Sequence, residues 1–122
     1  MHLTEEEVMT YTHKLEGKIA SFELEGSLLG DVEREQMIND FTNYLSQDVK
    51  YFVLELTKLK HINSTGLGIF ITLYTKVRSR TGEMYICNPN PTITNLLSIT
   101  KLNTVFNICD SKEAAMQKIA AK

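Results

Sequence analysis

Two adjacent hydroxyls, Ser64 and Thr65, stand in the stretch Lys58 to Gly68 (KLKHINSTGLG), between the most strand-like and the most helix-like apolar runs of the chain. A chain that leaves a buried strand and turns into a helix sets such hydroxyls beside backbone N–H groups that have no intrahelical partner and favour negative charge. From the residues alone, Ser64 reads as a helix N-cap contributing about 1 kcal/mol, and the place could equally hold an anion. Gly66 and Gly68 invite a nucleotide loop, but the third glycine of G-x-G-x-x-G falls on Ile71 and no Walker lysine follows. They read instead as glycines that let the helix's first turn approach neighbouring backbone. His61 is only three residues from Ser64, a separation ill-suited to base and nucleophile, and no G-x-S-x-G elbow is present. His2, His13 and His61 lack metal-site spacing, and Cys87 and Cys109, which each close a short apolar run, read as reduced core thiols. The expectation is no catalytic residue, no metal and no cofactor.

The elements that must position Ser64 follow from periodicity. Val8 to Leu15 alternates as a half-exposed strand, Glu16-Gly17 offers a tight turn, and Lys18 to Glu25 alternates again, so a hairpin ending at Gly26 is expected. Ser27 to Gly30 reads as a loop. Asp31 is the expected N-cap of a helix carrying Val32, Met37, Ile38, Phe41, Tyr44 and Leu45 and ending near Ser46. Tyr51 to Leu56 is nearly continuous apolar sequence, which suits a central strand buried on both faces. After the Ser64 stretch, Leu67, Phe70, Ile71, Tyr74 and Val77 form a helical stripe, widened by Ile69 and Leu73 and stopped at Thr81-Gly82. Glu83 to Cys87 reads as a strand. Asn88-Pro89-Asn90-Pro91 is a loop with Pro91 at a first helical position, ahead of Ile93, Leu96 and Leu97. Thr104 to Cys109 is expected as the last strand, and Asp110 or Ser111 as the cap of a final helix carrying Ala115, Met116 and Ile119. The order is ββαβαβαβα: an antiparallel hairpin followed by parallel crossovers, a mixed β-sheet with about four helices.

Bulk properties bound the function. A chain of 122 residues, 43% of them hydrophobic, fits one domain over residues 1–122 with one core. Thirteen basic and 15 acidic side chains, dispersed along the chain, give a net charge of −2 and no basic stripe for nucleic acid. No apolar run approaches the roughly 20 residues needed to span a bilayer, and the acidic start is unlike a signal peptide, so a cytoplasmic protein is expected.

Asn63-Ser64-Thr65-Gly66-Leu67-Gly68, preceded by the strand Phe52 to Leu56 and followed by Gly82 to Cys87, resembles the phosphoacceptor region of bacterial anti-sigma-factor antagonists, which are single STAS domains. Leu24 to Leu28 resembles the family's second-strand exit, and the element order is the family's order. The resemblance implies an α/β STAS fold and a signalling protein with no catalysis of its own. Unphosphorylated, it would bind an anti-sigma factor that is also a serine kinase and so release a sigma factor for transcription. Phosphorylation would reverse this and a serine phosphatase would restore it. On this pattern Ser64 is the phosphoacceptor, Thr65 the second choice, and Leu29, Asn63, Thr65, Gly66 and Asn88 the partner surface, while ATP and magnesium belong to the kinase. Where the family commonly carries acidic residues beside the phosphoacceptor and after the second-strand exit, this chain has Asn63 and Leu29. The other reading is a STAS subunit or scaffold of a signalling assembly or lipid-transport complex, with Ser64 a cap only. Nothing in the sequence sets the oligomeric state.

Overall fold

A computed structural model describes residues 9–30 and 33–122. Val8, the acidic start with His2, and the expected cap Asp31 with Val32 lie outside the described residues. The elements run β1 (Thr10–Glu16), β2 (Ile19–Leu28), α1 (Arg34–Ser46), β3 (Tyr51–Ile62), α2 (Ser64–Ser79), β4 (Glu83–Cys87), α3 (Pro91–Ile99), a 3-10 turn (Leu102–Thr104), β5 (Asn107–Cys109) and α4 (Lys112–Ala120). One sheet holds the strands in the order β1-β2-β3-β4-β5, antiparallel in the first pair and parallel thereafter. The expected order and mixed sheet are therefore present.

The larger core joins the sheet to α1, α2 and α3. Phe22, Phe41 and Phe52 meet there with ring centroids 4.6 Å apart from one to the next, while Met37, Leu54, Phe70 and Leu97 are fully buried around them. Under α4 lies a smaller core of Ile19, Val53, Tyr85, Cys87, Cys109, Ala115 and Ile119. Val53 and Leu54 thus bury opposite faces of β3, which is why the run through Leu56 is continuously apolar.

Three boundaries differ from expectation. Gly26 does not end β2; the strand continues to Leu28, and Gly26 takes φ +93° beside one of two register shifts. Both shifts add a residue on β3, since Glu23 faces Glu55 but Glu25 faces Lys58, and Gly26 faces Leu59 but Ser27 faces His61. β3 itself runs six residues past Leu56. Its distal half reads as loop because helices cover only one face there, leaving Thr57, Lys58 and Lys60 exposed around buried Leu59. β5 shrinks to three residues, because the chain first makes the 3-10 turn that seats Phe106 edge-on against Tyr74. On α2 the buried stripe is Gly66, Leu67, Ile69, Phe70, Leu73 and Val77, and Ile71 faces outward at 42% exposure.

Candidate functional site

β3 ends at Ile62 and α2 begins at Ser64, so Asn63 alone makes the joint. Its backbone is extended (φ −120°, ψ −172°), and its Oδ1 accepts the Gly66 N–H at 3.0 Å. Asn63, not Ser64, is therefore the N-cap. Asn and Ser cap equally well, and only the true end of β3 decides between them. The capping assigns Ser64 to the first helical position, where it is exposed and its hydroxyl makes no hydrogen bond to a described residue; the same holds for the exposed Thr65. With Gly66 capped and the Leu67 N–H donating to Asn63 O at 2.9 Å, the backbone N–H groups of Ser64 and Thr65 are the ones of this turn left without a partner among the described residues.

Gly66 is buried beneath this turn. A Cβ there would lie 2.5 Å from Leu28 O and 2.6 Å from Ile62 Cγ1, so the bare glycine lets α2 rest on the ends of β2 and β3. At Gly68 an added Cβ would meet nothing within 4 Å, so the close-approach reading holds for one glycine and fails for the other.

Around Ser64 the structure gathers Asn63 and Leu29. The Asn63 Nδ2 donates to Leu29 O at 2.9 Å, and the Leu29 side chain is 43% exposed. Lys60 and His61, also exposed, end β3, and Lys58 pairs with Glu23 at 3.2 Å, which raises the lysine's pKa by hydrogen bond and charge. From Leu56 to Gly82 there is no Asp or Glu, so the turn's positive dipole meets no carboxylate of its own segment.

Asn88, at φ +56°, donates to Glu55 Oε1 at 3.2 Å, seven residues before Ile62, and among the described residues no hydrogen bond joins it to Ser64. Asn90 is the residue the sequence reading missed. Its Oδ1 accepts the Ile93 N–H at 2.8 Å, capping α3, and its Nδ2 donates to Leu59 O at 3.2 Å and Lys60 O at 2.9 Å. It thereby ties α3 to the part of β3 that extends past β4. Asparagine immediately ahead of a helix-opening proline was the available signal.

Among the described residues no base is hydrogen-bonded to Ser64. His13 lies instead between β1 and α1, with Nδ1 2.7 Å from the Tyr44 hydroxyl and Nε2 3.6 Å from Asp40 Oδ2, which also accepts from Tyr11 at 2.6 Å. Burial and Asp40 push the Tyr11 phenol well above its ordinary range. Cys87 and Cys109 are reduced and buried, and burial, with Cys109 alongside, pushes the Cys87 thiol up to about 12. Among the described residues no three His, Cys, Asp or Glu side chains gather as a metal site, and no helix is long and apolar enough to cross a membrane. What the joint offers chemically is an accessible hydroxyl on a positively polarised helix end.

Residues 12–115 match the family model for the STAS domain. The chain is 30% identical over 70 residues to an anti-sigma F factor antagonist of Paenibacillus polymyxa, a match spanning 57% of this chain and 60% of that one. An anti-sigma factor antagonist from Mycobacterium paratuberculosis has a solved structure that superposes with a TM-score of 0.80 at 16% identity, covering 97% of this chain and 99% of that one. The Bacillus cell-fate determinant SpoIIAA, solved in its phosphorylated form, superposes with a TM-score of 0.71 at 16% identity, over 90% of this chain and 99% of that one.

Proposed function

The chain belongs to the STAS domain family, and from that premise we propose that it is an anti-sigma-factor antagonist switched by phosphorylation of Ser64. In this reading the unphosphorylated protein docks an anti-sigma factor that is also a serine kinase and frees a sigma factor. The chain has no catalysis of its own; a serine phosphatase resets it.

The observation that carries the reading is the state of Ser64: exposed, without a side-chain hydrogen bond to any described residue, and relieved of capping by Asn63. A hydroxyl already engaged as a cap would have to break that bond to accept a phosphoryl group, and this one does not. The added charge, about −1.5 to −2, would sit beside the free N–H groups of the first turn, where helix ends favour anions. The fold would stand. A docked partner would not tolerate the charge so well, because an unpaired charge buried at an interface costs about 2–5 kcal/mol. That corresponds to roughly 30-fold to several thousand-fold in affinity.

Incubation with the cognate kinase and ATP, followed by phosphopeptide mapping, tests the site, and phosphate on neither Ser64 nor Thr65 would sink the switch. Ser64→Asp is expected to fold normally and lose the partner while Ser64→Ala keeps it. Equal affinity of the two variants would instead favour a STAS subunit that does not switch.

A further inference from the structure

Ser64 and Leu29 come from different elements, and one side chain joins their backbones. Leu28 is the last residue of β2 paired with β3, opposite Ile62, so Leu29 is the first beyond the sheet. Asn63 holds it there with two bonds to consecutive carbonyls: its backbone N–H donates to Leu28 O at 3.4 Å and its Nδ2 to Leu29 O at 2.9 Å. The same carboxamide accepts the Gly66 N–H at 3.0 Å. These two partners fix the amide's orientation, since a donor N–H demands the oxygen on one side and a carbonyl demands the NH2 on the other.

We infer that Asn63 is a positioning residue of the Ser64 site: its carboxamide clamps the β2 exit at Leu29 to the first turn of α2, so that Ser64 and the exposed Leu29 side chain meet a partner as one surface. A short side chain needs both a donor and an acceptor for this. Aspartate caps a helix as well as asparagine does, but when ionised it only accepts, and it would set a carboxylate oxygen against Leu29 O. The surface so held is apolar at Leu29, so it fits a partner with an apolar recess opposite that side chain. The use of the clamp rests on the Ser64 reading; the clamp itself does not.

The test is NMR of the unphosphorylated full chain, comparing wild type with Asn63→Asp and Asn63→Ala. At pH 7 both variants should displace the Leu29 and Gly30 amide signals and the Leu29 methyl signals in the same sense, while only Asn63→Ala should show a lowered melting temperature. Acidification through the ordinary aspartate range, roughly pH 4, protonates the new carboxyl and gives it an O–H donor. The Leu29 signals of Asn63→Asp should then return toward wild type and those of Asn63→Ala should not. Leu29 signals that coincide in all three proteins at pH 7, or that ignore pH in Asn63→Asp, would overturn the clamp. A kinase that leaves Ser64 unmodified would sink the switch without altering these spectra, so the two failures are separable.

Discussion

Gly66→Ala and Gly68→Ala, at two glycines separated by Leu67 alone, should move stability in opposite directions. Either substitution removes glycine's backbone entropy penalty and gains about 1 kcal/mol in a helix. At Gly68 nothing within 4 Å opposes that gain, so the protein should be stabilised by up to about 1 kcal/mol. At Gly66 the new methyl would stand 2.5 Å from Leu28 O, 2.6 Å from Ile62 Cγ1 and 3.0 Å from Leu28 Cγ. The nearest of these is backbone of a paired strand residue, so α2 itself must lift rather than a side chain rotate. Overpacking of this kind costs typically about 1–3 kcal/mol and occasionally more. Contact with an unyielding strand puts this case at the upper end, leaving a net loss of about 1–2 kcal/mol after the helix gain. Urea titration of the three proteins gives the comparison directly, and for a chain of this size 1 kcal/mol corresponds to about 4 °C in melting temperature. Gly66→Ala should also disturb the Ser64 turn, visible as displaced amide signals from Asn63 to Leu67. Two variants stabilised alike would refute the close approach of α2 to Leu28, and with it the geometry on which the site depends.

Glu16 is held below its ordinary value of 4.5 chiefly by its bond to Lys112, 2.7 Å away, with burial opposing and Lys14 adding to it. Its contribution is thus present above that value and lost as pH falls through the lower folded one, so Lys112→Ala should flatten the acid limb of urea midpoint against pH below about 4.5. Cys87 and Cys109 should react with a thiol reagent at pH 8 only after denaturant is added, because both lie under α4 and burial pushes the Cys87 thiol up to about 12. Rapid labelling of the native protein would show that α4 opens easily. Asn90→Ala removes the α3 cap and the donor to Leu59 O and Lys60 O, and should cost about 1–2 kcal/mol by urea unfolding; no loss would mean that water replaces the amide at β3.

Periodicity revealed the four α-helices and the five strands, because each helix buries an apolar stripe against the sheet and the central strands are apolar on both faces. It failed where burial was uneven. After Leu56 the only apolar residues of β3 are Leu59 and Ile62, three apart, because a half-exposed strand with two extra residues does not keep a clean period of two. Gly26 looked like a stop because glycine in a strand usually marks one; here it sits at positive φ beside a register shift. The site suffered from the same error. With β3 ended early, Lys58 to Asn63 reads as a loop and Ser64 as its capping residue; with β3 carried to Ile62, a single residue is left for the turn and Asn63 must cap. Gly66 and Gly68 are indistinguishable in sequence, because the carbonyl that decides between them belongs to Leu28, nearly forty residues earlier in the chain.

The mechanics of the joint bear on how a signal at Ser64 could act. The hydroxyl lies outside both cores, on a turn capped by Asn63, and Gly66 fixes that turn against Leu28 and Ile62. Between Leu56 and Gly82 the sequence carries no Asp or Glu to repel a charge placed there. The free N–H groups of Ser64 and Thr65 favour it instead. The energetic consequence of phosphorylation would therefore fall almost wholly outside the molecule, on whatever surface covers Ser64. Comparing the unfolding free energies of the phosphorylated and unmodified protein tests this: they should agree within about 1 kcal/mol, the scale of a helix-end charge effect, while affinities for the partner differ by at least tenfold. A large loss of stability on phosphorylation would mean that the switch works by loosening the α2 turn, and that Asn63 and Gly66 hold it less firmly than their contacts indicate.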